Sequence, residues 1–304
     1  MKRDFILGLI LVFVFLIMGM GIVSIYLYRL PHPDGIGVRN DGRKIRVVAS
    51  LYPLYFLASE IGGDKILVRN ITPSGTEPHD YEPTARDMAE IQKAKLLILN
   101  GGKLEAWGVK VKEDLKNVQV VEAGRGMFVG NDSHVWLSPQ LAKKEVGNIL
   151  AALILVDPKN EEYYSKNAKI LNQKLDKLQE DYIQGLAGCM RKEVVTSHAA
   201  FGYLTREFGL TQVAIAGLSP DEEPSTKQMT EVARFAKEKN TKYIFFENLV
   251  SPKLAETIAE EIGAKTLILD PIEGISDNDL TQGKTYLTIM EDNLANLRTA
   301  LECQ

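Results

Sequence analysis

The sequence predicts an α/β protein of two similar lobes, each a parallel four-stranded sheet flanked by helices, joined by one long backbone helix. Three observations carry this. Short β-prone runs alternate with helical periodicities from residue 45 to the end, the pattern of mostly parallel sheets. The chain also repeats itself: Val47-Val48-Ala49-Ser50 precedes Leu57, Glu60 and Gly62, and Val194-Val195-Thr196-Ser197 precedes Leu204, Glu207 and Gly209 at the same intervals. A second pair of blocks follows in the same order, Glu82-Pro83-Thr84 before Met88 and Glu90, and Glu223-Pro224-Ser225 before Met229 and Glu231. Between the repeats, Tyr164, Ala168, Leu171, Leu175, Leu178, Tyr182 and Leu186 recur at steps of three and four among Lys, Glu, Gln, Asp and Asn. That is one helix over 157–186 with a narrow apolar stripe, about 45 Å long at about 1.5 Å per residue. Asp157-Pro158 reads as its start, a capping carboxylate before a proline at the first helical position.

The first lobe, 45–156, opens with a strand over 46–49, a helix over 53–61 and a strand over 66–71. A loop containing Glu77-Pro78-His79-Asp80 leads to a helix over 84–93 and a strand over 96–99 that ends at Asn100-Gly101-Gly102. A helix opens near Leu104, a short strand covers 118–121, and a loop over 131–139 holds His134 before a closing helix over 140–156. The linking helix is assigned to 157–187. The second lobe, 188–304, has strands over 193–196, 212–215, 243–247 and 266–269, helices between them and a final helix over 285–301. At ~100–200 residues per domain, 304 residues fit two domains.

Ahead of the lobes, Lys2-Arg3 precede an uncharged run over 5–28, long enough for a ~30 Å hydrocarbon core. With no small-residue cleavage site and no cysteine to carry a lipid, 1–28 reads as an uncleaved membrane anchor. The basic N-terminus places it inside and the body on the extracytoplasmic face. Residues 29–44, rich in Pro, Gly, Asp and Arg, form a tether. Residues 1–44 carry six Lys or Arg and three Asp or Glu, so of the net −4 the remainder holds −7. An acidic body argues against nucleic acid as a partner and suits cations. Cys189 and Cys303, the two cysteines, form no metal-binding spacing; outside the membrane they can pair as a disulfide or stay as buried thiols.

Outside the tether there are three histidines, each in a loop or at a strand end: His79, His134 and His198. Asp270 closes the last strand and is followed by Pro271. Two of these four come from each side of the linking helix, so they can meet only in a cleft between the lobes. Three imidazoles and a carboxylate suit a borderline divalent cation. Each histidine alone is equally readable as a loop residue or a structural hydrogen bond. Glu77, beside His79, is a further candidate for the metal or its water, and Glu247 is a reserve ligand at a strand end. Trp136 is expected to pack beside the site and exclude water.

Several stretches resemble one family: Glu77-Pro78-His79-Asp80-Tyr81, Asn100-Gly101-Gly102, Ser133-His134-Val135-Trp136, Ser197-His198-Ala199-Ala200-Phe201, Pro220-Asp221-Glu222-Glu223-Pro224 and Leu269-Asp270-Pro271. They are similar to motifs of the zinc and manganese solute-binding proteins of ABC transporters, the cluster A-I type, from about residue 45 to the end. The resemblance implies two four-stranded lobes, a single backbone helix and one Zn2+ or Mn2+ per chain, carried as ligand and passed to an ABC permease rather than used in catalysis. It implies His79, His134, His198 and Asp270 as the four metal ligands. Some manganese binders of the family carry Glu where this chain has His198, which tilts the choice towards zinc. The chain lacks the long His-rich loop of many zinc members. Metal affinity is expected to fall on acidification near pH ~6.5, because imidazole must be neutral to bind. Two other readings use the same four residues, a metallohydrolase with Glu77 as base and an adhesion protein stabilised by its metal.

Overall fold

The computed structural model describes residues 44–304. The expected anchor at residues 5–28, and the tether up to residue 43, lie outside the described residues. Among the described residues no helix is long and apolar enough to cross a membrane.

Two parallel sheets form, and their topologies repeat as the sequence does. In the first, β1 (Ile45–Ala49), β2 (Ile66–Asn70), β3 (Leu96–Leu99) and β4 (Gln119–Glu122) lie in the order β2-β1-β3-β4. In the second, β5 (Glu193–Thr196), β6 (Thr211–Ala214), β7 (Tyr243–Phe246) and β8 (Lys265–Ile268) lie in the order β6-β5-β7-β8. Every neighbouring pair is parallel. β3 is buried along its whole length, which is why Leu96-Leu97-Ile98-Leu99 shows no alternation: a central parallel strand is covered on both faces.

The helices of the first lobe are α1 (Tyr52–Gly62), α2 (Ala85–Lys93), α3 (Ala106–Asp114) and α4 (Pro139–Val156). After the linking helix α5 (Glu161–Ala187) come α6 (Gly202–Glu207), α7 (Thr226–Glu238), α8 (Lys253–Ile262), α9 (Asp277–Thr281) and α10 (Tyr286–Ala300). The second pair of repeated blocks is explained by helix starts. Thr84 and Ser225 are N-caps of α2 and α7, and each forms a reciprocal capping box, with Asp87 and Gln228 respectively.

All seven stripe residues of α5 are buried, and the helix packs on α4, α1 and α10, so its apolar seam joins both lobes into one large core. Its start differs from the expectation. Residues Pro158–Asn160 form a 3-10 turn, and Asp157 caps no backbone N–H. Its carboxylate instead accepts the Tyr164 hydroxyl and the Asn160 side-chain amide, each at 2.7 Å. Those two side chains outcompete the turn's N–H groups for it. The α-helix proper begins with Glu161 and Glu162, acids that suit the positive end of the helix dipole. Cys189 and Cys303 are joined as a disulfide, tying the end of the chain to the end of α5.

Polar contacts also cross directly between the lobes. Trp136 Nε1 donates to the Pro271 carbonyl at 2.7 Å, and the Tyr286 hydroxyl donates to the Trp136 carbonyl at 2.5 Å. The Ser138 hydroxyl, N-cap of α4, donates to Glu207 at the end of α6. Gly75 N–H donates to the Ile275 carbonyl at 2.9 Å.

Candidate metal centre

The carboxyl ends of both sheets face each other, the place where parallel sheets present ligands. β2 leads through a long loop into His79, in the 3-10 turn Pro78–Asp80. β4 leads into the loop that ends at His134, the residue before the 3-10 turn Val135–Leu137. His198 lies two residues past β5, its carbonyl held by the Thr196 hydroxyl (2.7 Å) and the Gln212 side-chain amide (3.0 Å). The three rings converge, with centroids 5.6, 6.1 and 5.4 Å apart.

The fourth position differs from the expectation. The carboxylate among the imidazoles is Glu273, and the four donor atoms of His79, His134, His198 and Glu273 lie within 4.8 Å of one another. Glu273 Oε1 is 2.7 Å from His134 Nε2, 3.3 Å from His198 Nε2 and 3.4 Å from His79 Nε2. A tetrahedral ion with bonds of about 2.0–2.1 Å needs ligand-to-ligand edges of about 3.3 Å, so this set embraces a zinc-sized ion with small shifts.

Asp270 is absent from the cluster because both its oxygens are engaged in shaping the turn that delivers Glu273. Oδ1 accepts the Ile272 N–H at 2.7 Å and Oδ2 accepts the Asn248 amide at 2.8 Å. Asn293 clamps the Asp270 backbone from both sides, accepting from its N–H (2.8 Å) and donating to its carbonyl (2.7 Å). Ile272 sits at φ +57°, a left-handed conformation that a β-branched residue adopts only under strain. That kink turns the chain so that the residue after it, Glu273, faces the histidines.

Carboxylates also stand behind two of the rings. Asp132 Oδ1 faces His134 Nδ1 at 2.9 Å, and Glu247 Oε1 faces His198 Nδ1 at 2.7 Å. This arrangement fixes the tautomer and aims Nε2 inward, as metal-ligating histidines require. Glu247 is thus an orienting partner of His198, not a member of the cluster. Trp136 is fully buried with its ring 5.3 Å from that of His134, walling the site as expected. Glu77 accepts the backbone N–H of His79 at 3.1 Å and also lines an open cleft of about 360 Å³ shared with Ser197, Asp221 and Lys253.

The electrostatics favour a cation. Burial would raise the Glu273 carboxyl, but His198 above all, with His134 and His79, holds it well below its usual range. Burial would lower His198, but Glu247 and Glu273 raise it well above its usual value; for His134, Asp132 and Glu273 likewise overcome burial. Burial and then the charge of Glu273 push Glu77 up to about 9. Glu273 Oε2 and His79 Nε2 are buried without hydrogen-bond partners. Buried carboxylate oxygens and imidazole nitrogens with unpartnered lone pairs are what a divalent ion satisfies.

Of the four residues expected as ligands, His79, His134 and His198 lie in the cluster, whereas Asp270 lies outside it and Glu273 stands in its place. A usable signal was there, an acid at 273 inside an otherwise apolar run and followed by Gly274. The orienting role of Asp132, two residues before His134, was also missed.

Two sheet lobes about a single helix, with a largely buried three-histidine, one-carboxylate cluster between them, define a cleft-type metal-binding protein. Residues 47–300 match the family described as zinc-uptake complex component A, periplasmic (ZnuA), and the chain belongs to that family. It is 41% identical over 284 residues to the high-affinity zinc uptake system protein ZnuA of Bacillus subtilis, covering 86% of this chain and 89% of that one. Among solved structures it is similar to the Zn(II)-bound ZnuA-like domain of Streptococcus pneumoniae AdcA, with a TM-score of 0.77 and 38% identity over 85% of this chain and 99% of that one. It is also similar to the laminin-binding protein Lmb of Streptococcus agalactiae, described as a bifunctional adhesin and metal transporter, with a TM-score of 0.79 and 38% identity over 84% of this chain and 99% of that one.

Proposed function

We propose that this chain is the extracytoplasmic receptor of a zinc-uptake ABC transporter. It captures one Zn2+ between its lobes with His79, His134, His198 and Glu273, and hands the ion to a membrane permease. The lobes are residues 45–156 and 188–304, the linking helix is 157–187, and residues 1–28, with their apolar run at 5–28, are the membrane anchor, joined to the lobes by the tether at 29–44. One observation carries the reading: four donor atoms from loops of both lobes lie within 4.8 Å of one another, with His134, His198 and Glu273 buried and His79 half-buried. Zinc is favoured over manganese because three of the four donors are imidazole nitrogens, whereas manganese prefers oxygen. The family and the zinc-named relatives agree with that choice. Four protein donors complete a tetrahedral shell and leave no open position, which a hydrolytic zinc needs.

The test is calorimetric titration of the metal-stripped full chain. One Zn2+ per chain should bind tightly, Mn2+ should bind more weakly, and zinc affinity should fall on acidification as protons compete for the imidazoles. Absence of zinc binding, or a clear preference for manganese, would overturn the proposal.

A further inference from the structure

The helix α6 begins four residues after His198, yet its second residue serves the opposite lobe. Tyr203 is 5% exposed, and its hydroxyl reaches across to the turn that precedes His134. It accepts the Val129 N–H at 2.7 Å and donates to the Asp132 carbonyl at 2.9 Å. Val129 and Asp132 are themselves paired across this turn, whose Gly130 has φ +63°. The side chain of Asp132 then accepts from the His134 backbone N–H at 3.1 Å and faces its Nδ1 at 2.9 Å. An unbroken series of hydrogen bonds therefore runs from a phenol of the second lobe to the orientation of an imidazole of the first.

We propose that Tyr203 is a positioning residue that couples the seating of the two lobes to the aim of His134, so that zinc is held tightly while the hydroxyl grips the 129–132 turn and is released when it lets go. The inference rests on the assignment of His134 as a zinc ligand. Its logic is geometric. The turn is not part of a sheet, and a ring aimed by Asp132 is only as fixed as the Asp132 backbone. Loss of the grip frees that backbone without touching any ligand. Partners one step behind a metal ligand are worth about 10–100-fold in affinity.

The substitution that isolates this is Tyr203→Phe. The ring, stacked under the Arg206 guanidinium at 4.8 Å, keeps its place, and only the hydroxyl is lost, which takes one partner from the part-buried Val129 N–H and one from the buried Asp132 carbonyl. Zinc affinity and the rate of zinc release to a chelator are measured on the full chain, on Tyr203→Phe, on Asp132→Asn and on the double variant, with melting of each metal-free chain. Tyr203→Phe should weaken binding about tenfold, expressed mainly as faster release, with metal-free melting lowered by only a few degrees for the unpartnered Asp132 carbonyl. Since both residues act along one series, the double variant should bind no more weakly than Asp132→Asn alone. Affinity within about twofold of the parent in Tyr203→Phe, or losses that multiply in the double variant, would overturn the inference. If the parent chain binds no zinc, or His134→Ala binds as well as the parent, the assignment of the site fails, and the inference with it.

Discussion

Glu273→Gln should lower zinc affinity about a hundredfold or more, roughly 3 kcal/mol, while Asp270→Asn should cost about tenfold or less. Glu273 is 1% exposed and supplies the anionic donor nearest all three imidazoles. An amide of the same shape keeps an oxygen there but removes the charge that offsets a desolvated divalent ion. Asp270 acts through the turn. After its change to asparagine, the side-chain amide oxygen can still accept the Ile272 N–H that Asp270 Oδ1 accepts at 2.7 Å. Competition titration against a chelator of known affinity ranks the two variants. The reverse ranking would return Asp270 to the cluster and remove Glu273 from it.

A second large effect is expected outside the histidine cluster. Glu145, on the buried face of α4, is 0% exposed, and neither of its oxygens has a partner. Burial, with the charge of Glu105 added, pushes its carboxyl from 4.5 up to about 8. A raised carboxyl means that the folded chain holds its proton after the unfolded chain has released it. The associated stability is therefore fully present below pH about 4.5 and is lost as pH rises towards about 8. By pH 7 the loss amounts to roughly 3 kcal/mol. Glu145→Met, similar in length and without charge, should raise the melting temperature at pH 7 by roughly 5–10 °C. Its advantage over the parent should widen from pH 5 to pH 8. Melting curves of both chains across that range decide the matter, and an advantage that stays constant or shrinks with pH would contradict the account.

The architecture was legible because burial repeats with the geometric period of each element. The stripe on α5 and the four-strand pattern of each lobe are local signals, and every strand lies within a residue or so of its expected place. The repeat Val47–Ser50 against Val194–Ser197 proved to mark the ends of β1 and β5, the topologically equivalent strands that open the two sheets. The three histidines were legible too, being few and all placed at carboxyl ends. What escaped was set by contacts distant in the chain. Whether Asp270 or Glu273 enters the cluster depends on Asn248, Asn293 and the positive φ of Ile272, none of which has a local pattern. Asp157 looked like a helix cap by its neighbours, but the Tyr164 hydroxyl one turn into the helix claimed it. Glu247 stood out at a strand end, and its role as partner of His198 required the fold to bring β7 beside the His198 loop.

The central claim is that one zinc ion sits between the lobes, bound by both. Anomalous diffraction at the zinc absorption edge from crystals of the zinc-loaded chain addresses it most directly. The account predicts one strong peak per chain, bounded by Nε2 of His79, His134 and His198 and by the Glu273 carboxylate. A peak against Asp270 with Glu273 turned away, or a peak held by residues of a single lobe, would contradict it.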